Sequence, residues 1–239
     1  MRFEIIAAVF CGLFFNMRSA YAKKTVSQHA FKCAYIKKYS NQQIIYRCFI
    51  MTTIYFVRHA QPNYNNPDDF NRELTEKGLA DRVKIIDYLA DKNIEAAVSS
   101  PYLRCIDTIK PFCDSVGLKI ETVFDLRERG IGTDRWLDDF DGFAEKQWTD
   151  FDYRLNDEGE CLNQVQSRNI AALSDILKRY ADKTIVIGTH GTALSTIINH
   201  YDSSWGYEKF MEIKKITPFI AKMCFEKDKF IGYEVVNVL

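Results

Sequence analysis

Four apolar residues, Ile54 to Val57, run directly into Arg58 and His59. A polar loop follows, Gln61-Pro62-Asn63-Tyr64-Asn65-Asn66-Pro67. A short apolar run bounded by turn residues reads as a buried strand. A charged pair just past its C-terminal end falls where open α/β sheets hold their ligands. Alone, such a pair is an ordinary solvated strand end. Three further pieces give it weight, and they come in order: Ser100-Pro101-Tyr102-Leu103-Arg104 with Thr108, then Leu126-Arg127-Glu128-Arg129, then Gly188-Thr189-His190-Gly191-Thr192.

Strand-like and helix-like segments alternate around these pieces. Thr53–Val57 is the first predicted strand. Thr75 is placed to cap a helix over 76–91, with Leu79, Val83, Ile86 and Leu89/Ala90 as its apolar stripe. Ala96–Ser99 reads as a second strand. Ser100 is the expected cap of a helix with Pro101 in its first turn, running to Val116 and ended by Gly117. Leu118–Val123 reads as a third strand. Residues 134–153 are rich in acids and aromatics and are expected to form a packed cap that shapes the pocket roof. A long helix over 161–181 carries Leu162, Val165, Ile170, Leu173, Ile176/Leu177 and Tyr180 on one side. Thr184–Gly188 is the next strand, 192–200 and 204–214 are helical, and 218–225 and 229–237 form a hairpin. Strand–helix alternation closing on a hairpin gives a three-layer α/β/α sandwich around a mixed, mostly parallel sheet.

The formal net charge of zero conceals two unlike parts. Residues 1–50 hold eight Lys or Arg and one Glu, a net of +7; the other 24 basic and 31 acidic residues net −7. A mildly acidic globular part does not point to nucleic acid. Ile5 to Phe15 has the length of a signal-peptide core, and Ala20-Tyr21-Ala22 resembles a cleavage site, but Glu4 offsets Arg2 in the leader. The run is too short to span a membrane, and no stable membrane association is expected. Residues 23–50 show no apolar period. The expected division is therefore 1–50, outside the fold, and 51–239, the functional domain, with the functional protein starting at Met51 in the cytoplasm. The competing expectation is a secreted enzyme cleaved after Ala22. The seven Cys show no metal spacing and read as free thiols of a reducing compartment.

Phosphoryl transfer through a histidine needs a neutral imidazole, cations around the phosphoryl oxygens, and an acid for the leaving alkoxide. This chain supplies each at predicted strand ends. His59 is the candidate nucleophile. Arg58 and Arg104 suit bidentate phosphate binding. His190 adds a donor, and Glu128 suits the acid. No phosphate-binding glycine loop, dinucleotide motif or metal-ligand cluster accompanies them, so no cofactor or metal is expected.

The ordered set resembles the histidine phosphatase superfamily, the phosphoglycerate mutase-like family, over about residues 52–225. Arg58, His59, Gln61 and Asn65 fit its opening motif, and Leu74-Thr75-Glu76-Lys77-Gly78 the next. Ser100-Pro101 with Arg104 and Thr108 fits the second arginine motif. Glu128-Arg129 with Gly132, then Gly159-Glu160, then His190-Gly191 complete the order. The resemblance implies that His59 is phosphorylated and that Glu128 is the proton donor. It also implies that Arg58, Arg104 and Asn65 contact the phosphorylated substrate, with Arg129 beside them. Ala60, Pro62 and Cys161 depart from the usual Gly, Ser/Thr and Ser; Pro62 removes a hydroxyl that often touches phosphate. The implied activity is metal-independent hydrolysis of a small phosphate ester. A phosphoglycerate mutase is the alternative, but only about 30 residues separate Glu128 from Gly159, and Ile131 stands where mutases carry Tyr. A non-catalytic phospho-ligand binder would have lost His59, an arginine or Glu128, and none is lost.

Overall fold

The computed structural model describes residues 34–40, 43–49, 51–133 and 135–236. The signal-like run and the Ala20–Ala22 site lie outside the described residues. The chain divides into two units, Met1–Cys48 and Phe49–Leu239. In the first, β1 (Ala34–Ser40) pairs with β2 (Gln43–Phe49) in a two-stranded sheet. Among the described residues, no helix is long and apolar enough to cross a membrane.

The second unit runs β3 (Thr52–Arg58), α1 (Glu76–Leu89), β4 (Ala96–Ser99), α2 (Leu103–Ser115), β5 (Ile120–Thr122), a 3-10 turn at Phe124–Leu126, α3 (Phe140–Thr149), α4 (Leu162–Arg179), β6 (Thr184–Thr189), α5 (Gly191–Tyr201), α6 (Tyr207–Lys214), β7 (Phe219–Glu226) and β8 (Lys229–Val236). The strands make one sheet in the order β5-β4-β6-β3-β7-β8. The first four are parallel; β7 runs antiparallel to β3 and β8 to β7. This is the mixed, mostly parallel sandwich expected from the sequence.

The period of two in β3 explains its place at the centre. Ile54 and Phe56 face one side, where they meet Leu173 and Ile176 of α4, Leu194 and Ile197 of α5, and Phe210 and Ile213 of α6. Tyr55 and Val57 face the other, against Ile85 and Leu89 of α1 and Ile109 and Phe112 of α2. Both faces are buried, so the strand reads as a continuous apolar run.

Two helices differ from expectation in instructive ways. In α1 the buried positions are Gly78, Asp81, Ile85 and Leu89, while Leu79 and Val83 are 42% and 55% exposed. The N-terminal part of the expected stripe, Leu79 and Val83, is turned toward solvent, while Leu89 at its end is buried; Gly78 packs on the backbone of Gln61, where a Cβ would come within 2.3 Å of the carbonyl oxygen. Thr75 caps this helix as expected, accepting from the Gly78 N–H at 3.0 Å. In α2 the cap position is Tyr102, not Ser100, and the helix starts at Leu103. Pro111 inside α2 leaves the Asp107 carbonyl without its helical donor. Arg82 of α1 fills that vacancy, donating from Nη1 to the Asp107 oxygen at 3.0 Å.

Candidate active site

Three neighbouring parallel strands end together and set the site. Arg58 closes β3 opposite Thr189 of β6, and Ser99 closes β4 opposite Gly188. The next residues, His59, His190 and Ser100, are thus side by side. Backbone bonds continue the ladder: His59 N–H donates to Thr189 at 3.0 Å, and Ser100 N–H to Gly188 at 2.9 Å. Their side chains sit beyond the carboxyl ends of the strands, where open α/β sheets hold ligands.

His59 is buried. Its Nδ1 lies 2.8 Å from the carbonyl oxygen of Ala60. A carbonyl only accepts, so Nδ1 carries the hydrogen and Nε2 keeps its lone pair. Burial first, then the charges of Arg104 and Arg58, hold its pKa well below the usual histidine value. The ring is therefore neutral and nucleophilic near pH 7. The Ala60 N–H is in turn held by Thr108 Oγ1 at 2.9 Å, and that hydroxyl donates to the Arg104 carbonyl at 2.7 Å.

His190 is fully buried, edge-on to His59 with ring centroids 5.4 Å apart. Its Nε2 meets Ser100 Oγ at 2.8 Å, and Cys105 Sγ lies 3.3 Å from the same nitrogen. Burial, followed by Arg104 and His59, lowers its pKa well below the ordinary value. His190 thus stands behind His59 rather than on the cavity surface.

Arg58, His59, Arg104, Glu128 and Arg129 line one cavity of about 810 Å³. Arg58 donates from Nη1 to the carbonyls of Ile213 and Ile216, the latter at 2.9 Å, at the C-terminal end of α6. Cations are favoured there. Arg104, in the first turn of α2, donates to the Asp69 carbonyl and lies 3.2 Å from that side chain's Oδ1. Arg129 donates to Gln147 Oε1 at 2.5 Å and lies over the rings of Phe140 and Phe143, which ties it to α3.

Glu128 sits at the N-terminus of α5. Its carboxylate accepts from the N–H groups of Thr192 at 3.1 Å, Ala193 at 3.2 Å and Arg129 at 2.8 Å. Helix N-termini hold anions by this arrangement of free N–H groups. The loop carrying Glu128 is itself braced. Glu160 takes hydrogen bonds from Gly130 N–H, from Arg127, and from Nε and Nη2 of Arg168, all between 2.7 and 3.0 Å. Arg168 also donates to the Glu128 carbonyl at 3.0 Å. Burial opposes the Glu160 charge, but these donors hold its pKa below the usual carboxylate range. Gly132, at φ +79°, lets this loop touch Gly159; a Cβ there would lie 2.4 Å from the Gly159 nitrogen.

Asn65 departs from the expected contact. It is exposed and does not line the cavity; its backbone N–H donates to Asn63 Oδ1 at 3.1 Å. That is an Asx turn, and the residue serves the loop. In its place the structure brings in Tyr64, Arg72, Arg135 and Trp136, which the motifs do not mark. A basic residue flanked by Asp68, Asp69 and Glu73 was the one available sign of Arg72. Among the described residues, no group of three or more His, Cys, Asp or Glu could hold a metal ion. Cys105, Cys113, Cys161 and Cys224 are free thiols.

The family model described as histidine phosphatase superfamily (branch 1) matches residues 54–230. A metal-independent phosphoserine phosphatase of Arabidopsis thaliana is 32% identical over 165 residues, covering 62% of this chain and 67% of that protein. Among solved structures, a mycobacterial glucosyl-3-phosphoglycerate phosphatase superposes with TM-score 0.62 at 18% identity, covering 77% of this chain and 97% of the other. A phosphoserine phosphatase from Entamoeba histolytica, in complex with 3-phosphoglyceric acid, gives TM-score 0.63 at 17% identity, covering 78% and 98%. At those identities the structural likeness is one of fold.

Proposed function

This chain belongs to the histidine phosphatase superfamily and is a phosphomonoester hydrolase; on that premise we propose that it works through a phosphohistidine formed on His59. The observation that carries this is the fixed tautomer: Nδ1 is tied to the Ala60 carbonyl, which leaves Nε2 as the free base in the cavity.

In the first step the Nε2 lone pair forms a bond to phosphorus as the bond to the ester oxygen breaks. The departing electron pair takes a proton from the Glu128 carboxyl, so an alcohol leaves. In the second step water attacks phosphorus, Glu128 takes its proton, and the P–N bond breaks to return neutral His59 and free phosphate. Arg58 and Arg104 face the equatorial oxygens, whose charge spreads in the transition state.

Phosphoserine is the first ester to assay, because a relative and a structural neighbour carry that name. The test is acid-quenched incubation of the whole chain with a labelled ester, followed by peptide mapping. Base-stable, acid-labile phosphate on the peptide containing His59 is expected. Turnover with no such adduct, or with the label elsewhere, overturns the proposal.

A further inference from the structure

One wall of the cavity is built around Arg72. This guanidinium is buried, although it belongs to a surface loop. It is held by the Asn66 carbonyl at 2.8 Å on Nε and by Asp69 Oδ1 at 2.6 Å on Nη1. Held this way, it lies over two aromatic rings, 4.6 Å from the centroid of Trp136 and 5.6 Å from that of Tyr64. The rings themselves meet edge to face, with centroids 5.5 Å apart and planes at 79°. Arg72 thus fixes both rings. Even so, Trp136 and Tyr64 remain 56% and 53% exposed, and both line the cavity that holds His59. Aromatic groups of this size are normally covered, and these two are instead braced open at a catalytic cavity.

We propose that Trp136 and Tyr64 form the leaving-group subsite, and that the preferred substrate is a phosphomonoester whose ester oxygen is borne by a planar aromatic group. This rests on the phosphatase reading of the same cavity. The cation over each ring offsets the negative charge of its π face, so the ring accepts an electron-rich aryl phosphate more readily than a bare ring does. Rings locked by Arg72 lose little freedom when they stack, which favours binding through pre-organisation. A short aliphatic leaving group such as that of phosphoserine has no flat face to offer this wall.

Two measurements test the subsite. The first is the ratio of kcat/KM for phenyl phosphate to that for ethyl phosphate, in the wild type, Trp136→Ala and Trp136→Phe. Taking the change in ratio between proteins removes the intrinsic difference in leaving-group reactivity. The ratio is expected to fall about tenfold in Trp136→Ala, and Trp136→Phe is expected to restore most of it. The second uses the wild-type chain without turnover. Of its three tryptophans, Trp148 and Trp205 are buried, so Trp136 is the solvent-exposed fluorophore. Phenylphosphonate is expected to shift or quench that emission at concentrations where ethylphosphonate does not. An unchanged ratio in Trp136→Ala, or equal fluorescence responses to the two phosphonates, overturns the subsite. If hydrolysis depends on His59 but shows no aryl preference, the subsite falls and the phosphatase reading stands. If no ester is turned over, that reading falls, and the fluorescence titration still decides the subsite.

Discussion

The floor and the wall of the cavity are held by different means. On the floor, His59 follows one of three hydrogen-bonded strand ends, with His190 and Ser100 on the other two behind it, and Glu128 is gripped by the first N–H groups of α5. The wall is held by side chains reaching across loops: Arg72 to Asn66 and Asp69, Arg168 to the carbonyls of Arg127 and Glu128, and Glu160 to Arg127 and Gly130. A floor made of ladder ends fixes reacting atoms within narrow limits, as catalysis requires. A wall made of loops changes shape with each substitution, which suits the recognition of different leaving groups. Chemistry and substrate choice are thus written in different parts of one cavity.

The largest expected effects fall on the floor. His59→Ala is expected to lower kcat for every ester, on the order of 10^5-fold, because no other group replaces the nucleophile. Glu128→Gln is expected to slow alkyl phosphates by about 10^2- to 10^4-fold and nitrophenyl phosphate far less, since nitrophenolate leaves without a proton. Steady-state kinetics on both ester types checks the pair. Equal slowing of both types by Glu128→Gln would make Glu128 a positioning residue and weaken the distinction between floor and wall.

The floor was also the more legible region. His59, Arg104 and His190 each lie at a strand end or helix start that local sequence marks, and Glu128 is marked by its motif just after the Phe124–Leu126 turn. The wall was less so. Asn65 fits the opening motif by spacing, yet in a loop with Pro62 and Pro67 the Asn63 side chain closes an Asx turn and leaves Asn65 outside. Arg72 becomes meaningful only when the loop folds back, with Pro62 bridged to Leu74. No local periodicity reports such a closure. The neighbours of His190 are hidden for a similar reason, since Ser100 follows β4 and Cys105 reaches it from α2.

Next in size is Gly132→Ala, which tests the wall directly. The backbone there is left-handed, and a Cβ would lie 2.3 Å from Asn156 Oδ1. The expected loss is about 2 kcal/mol, read as a lower denaturant midpoint with unchanged slope. Because Gly132 also lines the cavity, KM is expected to rise more than kcat falls.

A smaller effect comes from pH. The folded chain holds His59 and His190 below the ordinary histidine pKa, mainly by burial. The unfolded chain therefore binds more protons than the folded one as pH drops through about 6.5, and stability falls with pH there. Each histidine is expected to contribute a loss of about 1 kcal/mol between about pH 6.5 and 5.5. His59→Asn should remove one such share, measured by urea unfolding at the two values. An unchanged slope would mean that His59 is not held neutral by the fold.

Helix α1, which lines neither floor nor wall, sets a core position against a solvent position. It carries two overlapping apolar rows, Leu79-Val83-Ile86-Leu89 and Ile85-Leu89, and a period of 3.6 residues alone does not say which one turns inward. The packing decides: Gly78 rests on the Gln61 backbone, and Asp81 takes Lys77 and, at 3.0 Å, Lys84 along the edge. That rotation puts Ile85 in the core and Val83 in solvent. Ile85→Ala is therefore expected to cost about 2–4 kcal/mol, through lost burial and the cavity left behind. Val83→Ala should stay within about 0.5 kcal/mol of the wild type. Because the Thr75–Gly78 turn of this helix anchors Gln61 at the start of the wall loop, Ile85→Ala should also loosen the wall and raise KM. Val83→Ala should leave KM where it was. Losses of similar size from both substitutions would mean that α1 presents the other row, and Gly78 would then no longer rest against Gln61.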